Sequence, residues 1–90
     1  MVKIIKLPLT MQQKQTLLFV KAYIEKNEYP PTINEIQSTL KFNNPGYVHK
    51  LLFYLAKKGY VIKLKHERRG IRLTELGEEY KQKEGKWKKI

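Results

Sequence analysis

Apolar residues recur along this chain with a period that changes once. Up to Lys58 they fall three and four apart, the spacing of one helix face; after Gly59 they alternate, the spacing of a strand. Short polar signals divide the helical part. Thr10 followed by Gln13 is a capping-box pattern, in which each side chain reaches the other's unpaired backbone N–H. Leu17, Val20 and Ile24 then give one apolar face, and the pattern stops near Asn27, before Tyr29-Pro30-Pro31, which cannot continue a helix. Thr32 and Glu35 repeat the box ahead of Ile33, Ile36 and Leu40, the face of a short second helix. Lys41-Phe42-Asn43-Asn44 reads as a turn, with Phe42 set to plug the angle between two helices. The third helix has Asn44 as N-cap, Pro45 at its first position and Gly59 at its end.

Beyond Gly59, Ile62 and Leu64 alternate with Lys63 and Lys65, and Ile71 and Leu73 flank Arg72. This predicts a hairpin whose tip, His66-Glu67-Arg68-Arg69-Gly70, is basic. Thr74 to Tyr80 predicts a last short helix, and a charged tail containing Trp87 follows. The fold class is therefore mainly α with a β-hairpin: a winged helix-turn-helix, made of a three-helix bundle and a two-stranded wing. The expected organisation is an arm over residues 1–8, the winged domain over 9–74, and a short helix with a basic tail over 75–90. Ninety residues leave room for one domain of ordinary size.

Charge narrows the function. Lys and Arg number 19 against 8 Asp and Glu, giving +11, which favours a polyanionic partner. Residues 41–73 alone hold eight of the eleven excess charges. Without cysteine there are no disulfides and no thiolate metal sites, in keeping with a reducing cytoplasm. No apolar run approaches the roughly 20 residues that span a membrane. Two His, no Cys and no Asp leave few catalytic groups, and none stand at metal-ligand or triad-like spacing. An enzyme is not expected, nor a cofactor, a metal or a small-molecule ligand.

On a helical wheel of about 100° per residue, Val48, Leu52 and Leu55 mark the buried side of the third helix, with Leu51 beside them. Gly46, His49, Lys50, Phe53 and Lys57 lie opposite, and Tyr47 and Tyr54 lie on one flank. A reading helix enters the major groove with its exposed face, N-terminal residues foremost. Asn44, Gly46, Tyr47, His49 and Lys50 are then the expected base-reading positions, though Asn44 is equally a cap, His49 a solvated surface residue and Tyr47 a packing residue. Thr32, Lys41, Lys57, Lys65, Arg68, Arg69 and Arg72 are the expected backbone and wing contacts, with the wing on phosphate or in a minor groove. Phe53 on a basic face needs a partner, so Phe53, Tyr54 and Trp87 are candidates for a dimer or partner contact.

Several of these segments resemble the DNA-binding domain of LexA-type repressors. They are Leu9-Thr10-Met11-Gln12-Gln13, Tyr29-Pro30-Pro31-Thr32-Ile33-Asn34-Glu35-Ile36, Phe42-Asn43-Asn44-Pro45, Leu52 through Ile62, and Arg69-Gly70-Ile71-Arg72-Leu73. The resemblance runs ungapped over roughly residues 9–73. It implies sequence-specific operator binding as a dimer, with repression as the usual outcome, and it places the family's base-reading positions on Asn44, Gly46, Tyr47, His49 and Lys50. The family often has a small polar residue, Asn, Ala and Glu at several of these, so a different operator is expected. The family's second half, a Ser–Lys self-cleaving peptidase with the main dimer contacts, has no counterpart in these 90 residues, so self-cleavage is not expected. The leading expectation is a double-stranded DNA-binding transcriptional regulator. The alternatives are a winged-helix protein-interaction module and a single-strand or RNA binder that stacks bases on Tyr47, Phe53 or Tyr54.

Overall fold

The computed structural model describes residues 8–80. The N-terminal arm up to residue 7, the tail from residue 81 and Trp87 lie outside the described residues. Helix α1 spans Met11–Asn27, α2 Ile33–Leu40 and α3 Pro45–Lys57; strands β1 (Val61–Lys63) and β2 (Ile71–Leu73) precede α4 (Glu75–Glu79). Both capping boxes form. Thr10 Oγ1 accepts from Gln13 N at 3.2 Å while Gln13 Oε1 accepts from Thr10 N at 3.2 Å. Thr32 and Glu35 do the same at 3.1 and 2.9 Å. Asn44 Oδ1 caps α3 by accepting from Tyr47 N at 2.9 Å.

The ends are as local as the starts. At the end of α3, Gly59 N donates to Ala56 O and Tyr60 N to Leu55 O, the paired bonds of a Schellman motif. Its left-handed residue is Gly59, at φ +90°, where a side chain would be strained. Helix α2 closes similarly with Lys41 in the left-handed region at φ 59° and Phe42 N bonded to Gln37 O.

Helices α1 and α2 both pack on α3, and α3 packs on β1. Leu17, Val20, Ile36, Val48, Leu52 and Leu55 are fully buried at this meeting, and Tyr60, Val61 and Ile71 extend the core under the hairpin. Phe42 is half-buried against the same core, in the angle where α2 turns into α3.

The hairpin is antiparallel, pairing Val61 with Leu73, Ile62 with Arg72 and Lys63 with Ile71. Its first strand corrects the expected alternation. Val61 is buried (2% exposed) and Ile62 is 49% exposed, so Ile62 shares the outer face with Arg72. The strand holds only three residues, and its phase is set by the helix end: the Schellman turn drives Tyr60 inward and Val61 follows it into the core. Among the described residues no helix is long and apolar enough to cross a membrane.

Candidate nucleic-acid interface

The first two turns of α3 stand beside the wing, and together they form one exposed, basic face. Val48, Leu51, Leu52 and Leu55 are buried, which turns Gly46, His49, Lys50, Phe53 and Lys57 outward. Asn44 is exposed while capping the helix. Tyr47 is half-buried, its ring edge-on to Phe42 with centroids 5.2 Å apart. The structure thus brings all five expected base-reading positions to one end of one helix.

The wing adds a residue that periodicity did not single out. Lys63 ends β1 on the strand face turned toward α3, and its Nζ lies 3.1 Å from His49 Nδ1. An ammonium only donates, so in this geometry Nδ1 is the acceptor and the imidazole hydrogen sits on Nε2. Gly46, His49, Lys50, Phe53, Ala56 and Lys63 surround an open depression of about 500 Å³. A second cleft of about 390 Å³ separates α3 from the wing and is walled by Ile33, His49, Lys65, His66 and Arg68.

Phe53 is 56% exposed and Tyr54 40%. The two rings meet edge-on at 5.5 Å, and the Lys57 ammonium stands 5.6 Å from the Phe53 centroid. Part of the partner that Phe53 requires is therefore its own helix, through a cation over its ring.

The other expected phosphate contacts divide. Lys41, Lys57, Lys65 and Arg68 are exposed. Arg72 is exposed but turned along the hairpin, donating to Arg69 O at 3.0 Å and standing 3.6 Å from Glu67. Thr32 and Arg69 are both engaged within the fold. Thr32 is 6% exposed and its hydroxyl serves the α2 cap. Arg69 is expected at a basic tip, and its guanidinium folds back over the α1–α2 junction. It donates to Glu35 Oε1 at 2.9 Å and Oε2 at 3.0 Å, and to Pro30 O at 2.8 Å. It also reaches Tyr23 Oη at 3.5 Å and lies 4.7 Å from the Tyr29 ring centroid.

The electrostatics follow the contacts. The Arg69 guanidinium, helped by the Thr32 backbone N–H, holds the Glu35 carboxyl down at about 2. Glu35 in turn raises the Arg69 guanidinium, and burial raises the Tyr23 phenol. Sequence reasoning missed this cluster, since its only local trace is an acid at a position where Gln also completes a capping box. Among the described residues no group of His, Cys, Asp or Glu is arranged to hold a metal ion.

Comparison with known proteins identifies the family. Residues 6–70 match the family model of the LexA DNA-binding domain. The chain belongs to that family. The LexA repressor of Petrotoga mobilis is 45% identical over 65 residues, covering 72% of this chain and 31% of its own length. LexA repressor 2 of Geobacter sulfurreducens is 41% identical over 66 residues, covering 73% and 32%. The LexA repressor of Thermotoga maritima is 36% identical over 66 residues, covering 73% and 33%. The chain spans about a third of the length of these relatives. The LexA match takes in all three main helices and the wing turn up to Gly70, and so the whole basic face except Arg72.

Proposed function

We propose that this protein is a sequence-specific double-stranded DNA-binding regulator, acting as a repressor in the cytoplasm. The observation that carries the reading is the single basic face formed by the first turns of α3 and the wing, on a chain of net charge +11. Membership of the LexA DNA-binding family and the names of the relatives support it. Helix α3 enters the major groove. Asn44, Tyr47, His49 and Lys50 face base edges there, and Gly46 lets the backbone approach. An imidazole N–H on Nε2 suits a purine acceptor such as N7, and Lys50 suits guanine O6 or N7. Lys41, Lys57, Lys65 and Arg68 lie along the phosphates, and Arg72 follows them at the hairpin's outer face. A homodimer on a two-fold operator, with Phe53 and Tyr54 among its contacts, accounts for two exposed rings on a basic helix.

The test is fluorescence anisotropy with random duplex and single-stranded DNA over a salt series, followed by operator selection. Duplex binding that falls steeply with salt is expected. Preference for single strands supports the stacking alternative that the exposed Phe53 and Tyr54 allow. Absence of binding at low salt points to a protein-interaction module. On a selected operator, Lys50→Ala is expected to change base preference; a uniform loss across sequences removes Lys50 from base reading. Arg68→Ala is expected to flatten the salt slope by about 1.

A further inference from the structure

Arg68 and Arg69 are neighbours on the wing, yet they point to opposite sides. Arg68 is exposed and lines the cleft facing α3; Arg69 packs on α1 and α2. The wing needs an external tie. Its two strands have three residues each, and a hairpin that short is marginal alone. Val61, Ile71 and Leu73 root its base in the core, but above Lys63 the loop is closed by one backbone bond, Leu64 N donating to Gly70 O at 2.6 Å, and by the exposed Arg72 side chain reaching Arg69 O and Glu67. Arg69 supplies the tie from within that loop, next to Gly70. Its planar fork meets both oxygens of Glu35, a bidentate geometry that fixes direction as well as distance. The Pro30 carbonyl and the Tyr29 ring hold the guanidinium from two further sides.

We infer that Arg69 and Glu35 are positioning residues for DNA binding: the clamp fixes the wing relative to α3, so that Lys65 and Arg68 meet phosphates while α3 sits in the groove. This rests on the proposed duplex-binding reading. Glu35 Oε1 accepts from both Thr32 N and Arg69, and Oε2 accepts from Arg69, so the start of α2 and the wing loop share one carboxylate. A wing held this way binds without first being ordered, which raises affinity through preorganisation. Arg69 adds to affinity without touching DNA.

The inference makes a prediction opposite in sign to simple electrostatics. Glu35→Gln removes a negative charge from a DNA-binding protein, and long-range charge alone would tighten binding. The chain's own Thr10–Gln13 box demonstrates that Gln serves the cap. Toward Arg69, however, the amide NH2 sets donor against donor and the bidentate pair is lost.

Anisotropy on a random-sequence duplex across a salt series, with wild type, Glu35→Gln and Arg69→Ala, tests this. Amide exchange at Leu64 is measured in parallel, against Leu52 as a core reference. Expected is a loss of affinity of about tenfold in both variants, an unchanged salt slope, and faster exchange at Leu64 with Leu52 little affected. Tighter binding by Glu35→Gln overturns the inference. So does a salt slope flattened by about 1 in Arg69→Ala, which would mean that Arg69 meets a phosphate. Faster exchange with unchanged affinity leaves the clamp a stabilising role only and overturns the positioning role. Wild-type protein that binds no duplex at low salt fails the duplex reading itself, a result distinct from all of these.

Discussion

Helices α1 and α2 begin with the same four-residue device, and the third helical residue of each reaches beyond its own helix. In α1, Gln13 Oε1 also accepts from Lys58 Nζ at 2.7 Å, and that ammonium donates to Pro8 O at 2.9 Å as well. In α2, Glu35 also takes the Arg69 fork. The first junction ties the start of the domain to the end of α3, through a neutral amide and a point charge that can rotate. The second ties the wing to α2 through two planar charged groups that cannot meet well in any other orientation. A Gln suffices where the neighbouring element is already fixed by the core. A carboxylate is used where that element is a loop standing clear of the core. The comparison identifies the wing junction as the place where local helix chemistry and interface geometry are linked.

The largest effect is expected from breaking the wing junction at its backbone. A Cβ on Gly70 would meet Leu64 O at 2.6 Å and Glu67 O at 3.0 Å, and neither carbonyl can swing aside as a side chain can. Gly70→Ala is therefore expected to cost about 1–3 kcal/mol, the range for forced overpacking. Thermal or denaturant unfolding measures it. A loss below about 0.5 kcal/mol, within the range of ordinary surface substitutions, would mean that the loop deforms freely and the clamp has little to hold.

The next effect is one of pH, and it separates the two junctions by chemistry. Glu35 ionises at about 2, against an ordinary 4.5, because Arg69 and the Thr32 N–H stabilise its charged form. A folded-state value lowered in this way contributes stability that is complete above 4.5 and is lost as pH falls toward 2. Gln13 has no proton to gain. The stability difference between wild type and Glu35→Gln is thus expected to shrink from pH 5 to pH 2, while that between wild type and Gln13→Ala stays level. Parallel curves for the two variants would show that the Glu35 charge adds nothing that Gln13 lacks.

Much of this molecule is legible in its sequence, and what is legible is local. Caps at Thr10, Thr32 and Asn44, the Gly59 helix end and the buried side of α3 all follow from residues within about two turns of each other. The face carrying Gly46, His49, Lys50 and Phe53 follows from the same periodicity, because a helix wheel that fixes the core also fixes its opposite side. The illegible features join residues far apart. Glu35 and Arg69 are 34 positions apart, His49 and Lys63 are 14 apart, and Lys21, which donates to Glu78 O and Tyr80 O, reaches 57 and 59 positions. A charge pattern states how many cations a segment holds, not which of two adjacent arginines folds inward. Arg68 and Arg69 are equivalent on that measure and opposite in the fold. The phase of β1 was hidden for a related reason: Val61, Ile62 and Leu64 are all apolar, and only the turn at Gly59 and Tyr60 decides which faces the core.

The smallest effect is the one that makes the comparison decisive. Gln13→Ala removes one half of the α1 box and one of the two acceptors of Lys58, but leaves Thr10 Oγ1 on Gln13 N and leaves Pro8 O for the ammonium. The expected loss is about 0.5–1 kcal/mol, at the lower end for a damaged cap. Duplex affinity is expected to stay within about twofold, because α3 and the wing keep their placement through the core and the clamp. Glu35→Gln is expected to behave the other way round, keeping its cap and losing affinity. If Gln13→Ala instead weakens duplex binding as much as Glu35→Gln does, the two junctions are equivalent. The affinity losses would then report general loosening of the domain rather than the position of the wing. The pair of variants matters more than either alone, since they alter the same position of the same motif and differ only in what lies beyond it.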